Sequence, residues 1–70
     1  MSSWHTVYTT DKSYQADIVK DVLMDRGVQA VIVNKQDTSY KFGTIEVNVD
    51  QDSVMRAKKI IEEEIKWDDE

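Results

Sequence analysis

Residues 44 to 49, TIEVNV, alternate without a break between polar and apolar side chains. Successive side chains of a strand point to opposite faces. Ile45, Val47 and Val49 therefore share one side, and Thr44, Glu46 and Asn48 share the other. A strand of this kind belongs in a sheet that is covered on one face and wet on the other. The cover has to come from this same chain of 70 residues or from another chain.

Two segments can supply it. Residues 12 to 26 place Ile18, Val19, Val22 and Leu23 in one stripe of helical period, with Ala16 close by and Asp17, Lys20, Asp21 and Asp25 on the solvent side. Asp11 or Ser13 suits the N-cap, and Gly27 follows where a helix wants a residue of positive φ. Residues 50 to 66 place Val54, Ala57, Ile61 and Ile65 in a second stripe, flanked by Ile60. Asp50 and Asp52 suit its start, as a cap and as negative charge near the positive end of the helix dipole.

Two further segments read as strands. WHTVYTT, residues 4 to 10, is rich in β-branched and aromatic residues and has no Gly or Pro. Simple alternation puts Trp4, Thr6 and Tyr8 on one side and His5, Val7 and Thr9 on the other. QAVIVN, residues 29 to 34, breaks the one-sided rule. Ala30 and Ile32 take one face and Val31 and Val33 the other, so both faces are apolar. Part of the outer sheet face is therefore expected to be covered, by Tyr8 or Trp4 or by another subunit.

The order is β-α-β-β-α. Two amphipathic helices need a common apolar surface, and a three-stranded sheet provides one. The expected fold is an α+β two-layer sandwich, with a three-stranded antiparallel sheet and both helices on one face. The second and third strands form a hairpin, and the first lies antiparallel beside the third. This is a ferredoxin-like arrangement lacking its fourth strand. Without that strand, residues 4 to 10 form a bare edge that invites a second chain, so a homodimer is expected, through this edge or through the outer sheet face. Residues 1 to 66 make one domain, and residues 67 to 70 an acidic tail.

Composition narrows the function classes. The chain has no cysteine, which excludes disulfides and thiolate metal sites and fits a reducing compartment. No apolar run approaches the roughly 18 residues of a membrane span. MSSWHTVY lacks the basic and apolar regions of a signal peptide. A cytoplasmic protein without membrane contact is expected. The formal charge of −5 resides in the last nine residues, EEEIKWDDE, and residues 1 to 61 are neutral. The basic residues are scattered among acids, so nucleic acid is not an expected partner.

Catalytic patterns do not assemble. The two glycines stand sixteen positions apart and cannot form a phosphate-cradling loop. His5 is the single histidine and has no nucleophile paired with it. Asn48, Asp50 and Asp52 lack the later ligands and the glycine of a calcium loop, so helix capping is their expected role. Glu62, Glu63 and Glu64 point around a helix and do not converge. Trp67 is either a lid over the apolar stripe or an exposed contact residue. Neither an enzyme, a cofactor nor a metal is expected.

The remaining oddity is the connector NKQDTSYKFG, residues 34 to 43. It is about twice the two to five residues a hairpin needs. Lys35 and Lys41 could hold an anion, with Asp37, Thr38, Ser39 and Tyr40 lining the same loop. The alternative is structural: Asp37 and Thr38 turn the backbone, Tyr40 and Phe42 cap the core, and Gly43 provides a bend.

Several pieces of this chain resemble a known family. They are VYT at 7 to 9, the ADIVKDVL helix ending in RGV at 26 to 28, and VNKQDTSYKFG. These are similar to a small family of bacterial domains of unknown function, described as putative signal-transducing proteins and grouped with the PII-like ferredoxin-like folds. The connector resembles the version found in Bacteroidetes-type members. The resemblance covers nearly the whole chain and implies a short βαββα domain in the bacterial cytoplasm, with no assigned catalytic residues. Many members carry Pro where this chain has Gln29, which leaves the start of the second strand less rigid here.

Two functions fit these features. One is a non-enzymatic protein-interaction or signal-transducing module acting as a homodimer, with Trp4, Thr6, Tyr8, Val31 and Val33 as interface residues. The other is a sensor of a small anionic metabolite or nucleotide, using Lys35, Asp37, Thr38, Ser39, Tyr40 and Lys41.

Overall fold

The computed structural model describes residues 3–36 and 43–67. Strand β1 (Trp4–Thr10) leads to helix α1 (Ser13–Asp25), strand β2 (Ala30–Asn34) and strand β3 (Ile45–Asp50). A 3-10 turn (Gln51–Ser53) then opens helix α2 (Val54–Glu64). The sheet order is β1-β3-β2, antiparallel throughout. This is the expected βαββα arrangement. Its shortest dimension is 15 Å, about the depth of one sheet and one helix layer, since packed layers lie about 10 Å apart. No helix among the described residues is long and apolar enough to cross a membrane.

The alternation of β3 sets the core. Ile45, Val47 and Val49 are buried against Val19 and Leu23 of α1 and Ala57 and Ile60 of α2. The α1 stripe is rotated from the one expected. Its buried line is Ala16, Val19 and Leu23, while Ile18 is 42% exposed. The α2 stripe is centred on Ala57 and Ile60, with Val54, Ile61 and Ile65 partly buried beside them.

The helix ends show where backbone groups go. Lys12, not Asp11 or Ser13, is the N-cap of α1, and no side chain caps it. The Asp11 carboxylate instead pairs with Lys12 Nζ at 3.2 Å, which raises the lysine pKa through that hydrogen bond and the charge behind it. At the other end α1 closes with a Schellman turn. Val28 N–H donates to the Leu23 carbonyl at 2.9 Å, and Gly27 N–H donates to that of Met24 at 3.0 Å. Gly27 takes φ +85° to allow this. Val28 and Leu23 are both buried, so the turn also delivers the chain into the core. Asp50 acts as expected, but on the 3-10 turn: its carboxylate accepts from Asp52 N–H at 3.3 Å.

β1 departs from simple alternation. Its register against β3 shifts between Thr6 and Tyr8, leaving Val7 as the extra residue of a bulge. Before the bulge Trp4 and Thr6 stand opposite Asp50 and Asn48, on the uncovered face. After it Tyr8 stands opposite Val47, on the helix face. The expected grouping of Tyr8 with Trp4 and Thr6 is therefore corrected. Val7 and Tyr8 both pack on the core.

Both glycines need positive φ, but their surroundings differ. A Cβ on Gly27 would meet nothing nearer than the Arg56 guanidinium at 3.8 Å. A Cβ on Gly43, at φ +108°, would lie 2.6 Å from the Lys35 carbonyl oxygen. Gly27→Ala should thus cost about 1–2 kcal/mol, the penalty of a left-handed L-residue. Gly43→Ala should cost more, because backbone must also move. Urea denaturation followed by circular dichroism checks the ranking, and equal midpoints for the two variants would refute it.

Candidate functional site

Two regions carry the residues singled out above, the neck of the long hairpin and the uncovered sheet face. Asp37, Thr38, Ser39, Tyr40 and Lys41 lie outside the described residues, as does Phe42. The neck below them is closed. Lys35 N–H donates to the Thr44 carbonyl at 2.8 Å. Gln36 N–H donates to Asn34 Oδ1 at 2.8 Å, a side-chain turn, and Gln36 Nε2 donates to the Asp11 carbonyl at 3.0 Å. The loop base is thereby tied to the corner between β1 and α1. The Lys35 ammonium lies 3.4 Å from Glu46 Oε2, so the strand beside it already supplies a counter-charge.

The uncovered face has a polar centre and apolar margins. Thr6 Oγ1 lies 2.8 Å from Asn48 Oδ1 and 3.1 Å from Glu46 Oε1, and its single proton serves one of them at a time. On the β2 side Val31 stands opposite Asn48 and is 37% exposed, and the half-buried Val33 stands opposite Glu46. On the β1 side Trp4 is 47% exposed. The fold brings Trp4, Thr6, Val31 and Val33 to one face.

Tyr8 serves the other face. Its ring centroid lies 6.3 Å from that of Trp67, tilted by 43°. Its hydroxyl donates to Gln15 Oε1 at 3.2 Å, and Thr10 Oγ1 donates to the same oxygen at 2.8 Å. Gln15 thus ties α1 to β1, a role with no signature in the sequence. Trp67 lies past the end of α2 and packs against the core as a lid.

The two helices are also linked. Arg26 Nε donates to Glu64 Oε1 at 2.9 Å, and its Nη2 reaches the same oxygen. The hydrogen bond to Glu64 and its charge raise the Arg26 pKa. Arg56 Nη2 donates to the Arg26 carbonyl at 2.6 Å, at the negative end of the α1 dipole. Met55, 81% exposed, sits in an open depression on α2 with Lys59 and Glu62. Among the described residues no three His, Asp or Glu side chains converge on a common point.

A family model described as "Putative prokaryotic signal transducing protein" matches residues 4–65, from the start of β1 to the end of α2. No curated protein and no solved structure matches the chain.

The lid assignment is testable through fluorescence. With Trp4→Phe, Trp67 is the one remaining indole, and its emission should be blue-shifted in the folded protein and move to the red on unfolding. Trp67→Ala should cost about 2 kcal/mol, scaled down from full burial. Tyr8→Phe, which removes one hydrogen bond, should cost about 1 kcal/mol or less. A solvent-like emission maximum in the folded state would refute the lid.

Proposed function

The chain belongs to the family described as putative prokaryotic signal transducing proteins, and on that premise we propose that it is a non-enzymatic interaction module. It works as a homodimer in the bacterial cytoplasm and passes its signal by contact with protein. The observation that carries this reading is the state of β2. Val31 and Val33 stand on the face that neither helix covers, while their neighbours Ala30 and Ile32 face the core. An apolar pair on the wet side of a small sheet gains from a second chain. Trp4 is a second exposed apolar side chain, at the opposite margin of the same face.

The anion-sensor alternative draws less support. It relies on Lys35 and Lys41 as the anion's cations, and Glu46 already accompanies the Lys35 ammonium. Cysteine-free composition supports the cytoplasmic assignment.

Sedimentation equilibrium tests the module. The wild type should run at twice its 8.1 kDa mass. Val31→Lys should weaken the dimer at least about tenfold, or about 1.4 kcal/mol. It puts a charge into each copy's apolar patch and removes apolar contact. The double variant Lys35→Ala, Lys41→Ala should leave association unchanged. A wild type that stays monomeric at millimolar concentration would end this reading.

A further inference from the structure

Among the described residues β2 is an edge strand, paired only with β3. The phase of its ladder follows from one bond. Lys35 N–H donates to Thr44, which continues the β2–β3 register. Bonded pairs in an antiparallel ladder recur at every second residue. Val33 with Glu46 and Val31 with Asn48 are therefore bonded pairs. The N–H and C=O groups of Ala30, Ile32 and Asn34 point the other way, to the open edge. Among the described residues no further backbone hydrogen bond takes up these groups.

The two sheet edges are not equivalent. β1 carries the bulge at Val7, and a bulge turns an edge away from regular pairing. β2 has no bulge and no charged residue, Pro or Gly. It has none of the devices that discourage a second strand.

We infer that β2 pairs antiparallel with β2 of a second copy of this chain, centred on Ile32, joining two three-stranded sheets into one of six. The inference rests on the homodimer reading above and names its interface.

Centring on Ile32 is the arrangement that sets all five residues of the strand against five. Ala30 then faces the partner's Asn34, and Ile32 faces the partner's Ile32. The residues with outward backbone groups fall opposite one another, so each of these pairs exchanges both hydrogen bonds. Val31 faces the partner's Val33, and Val33 faces the partner's Val31. Four valines meet on the face that the helices leave open, which accounts for a strand apolar on both sides. No like charges are brought opposite each other within the paired strands.

Helix α1 turns a mixed flank to the same side. Its residues advance about 100° each, so Met24 stands about 100° round from the buried Leu23. Gln15 stands about 80° round in the opposite sense, and its side chain reaches β1. Met24 therefore lies on the β2 side of the helix. It is 44% exposed there, on the same flank as Asp17 and Lys20.

The chain has no cysteine, so single cysteines report the register without background. In this pairing Val31 and the partner's Val33 form a non-bonded pair about 4.5 Å apart at Cα, within disulfide reach. Two copies of residue 31 lie on a diagonal, about 7–8 Å apart and outside it. Isotope-labelled V31C and unlabelled V33C are mixed, oxidised and weighed. The mixed disulfide should dominate, with each variant alone giving little. Amide exchange of wild-type Ile32 should also slow at least about tenfold from micromolar to millimolar protein, because that N–H gains a partner on association. A dimer by sedimentation with no preference for the mixed disulfide, or with unchanged Ile32 exchange, overturns the β2 interface and leaves the homodimer reading standing. A monomer in all conditions overturns both.

Discussion

Everything in this molecule depends on burying one side of β3. Ile45, Val47 and Val49 are each almost wholly inaccessible, and they can be so only if α1 and α2 lie together on that side. The other consequence is that neither helix covers the opposite side. Glu46 and Asn48 accept that condition, being polar and paired with Lys35 and Thr6. Val31 and Val33 do not share it. The central strand thus defines both the core and the place where the chain remains apolar to its surroundings.

Much of this was readable from local pattern. Strict alternation in TIEVNV, two helical stripes and a glycine after the first of them gave the element order, the helix-bearing face and the sheet order. Gly27 is a clear case, because its positive φ and the Schellman turn follow from position alone. What was not readable depends on contacts between distant residues. The bulge at Val7 is set by how β1 meets β3, and no residue in WHTVYTT marks it. One extra residue moved Tyr8 from the expected interface to the core side. The α1 N-cap differs for a local reason: the Asp11 carboxylate pairs with the adjacent Lys12 instead of capping the helix.

The candidate site divides along the same line. Residue type distinguishes Trp4, Thr6, Val31 and Val33 in the sequence, and the register gathers them on one face. Gln15 and Met24 could not be marked, since a polar residue in a first turn and a methionine near a last turn are unremarkable in sequence. Their meaning comes from the wheel of α1 laid over a sheet whose edges are known. Lys35 shows the reverse. Its type suggested an anion site, and its neighbour Glu46, eleven positions on, changes what that charge is available to do.

A domain near 60 residues buries only about 60% of the surface its unfolded chain exposes, and this chain has no disulfide to limit its unfolded state. Among the described residues the links that replace one are exposed, chiefly Arg26 with Glu64 and Arg56 with the end of α1. On the dimer proposed above, the open edge of β2 is then both the signalling surface and part of the stability. Anything that binds the folded pair favours it by mass action, and anything that occupies the edge of one copy competes with the other. A partner able to add its own strand to β2 would exchange one association for another without altering the core. A small module needs no moving part beyond that exchange to report whether its partner is present.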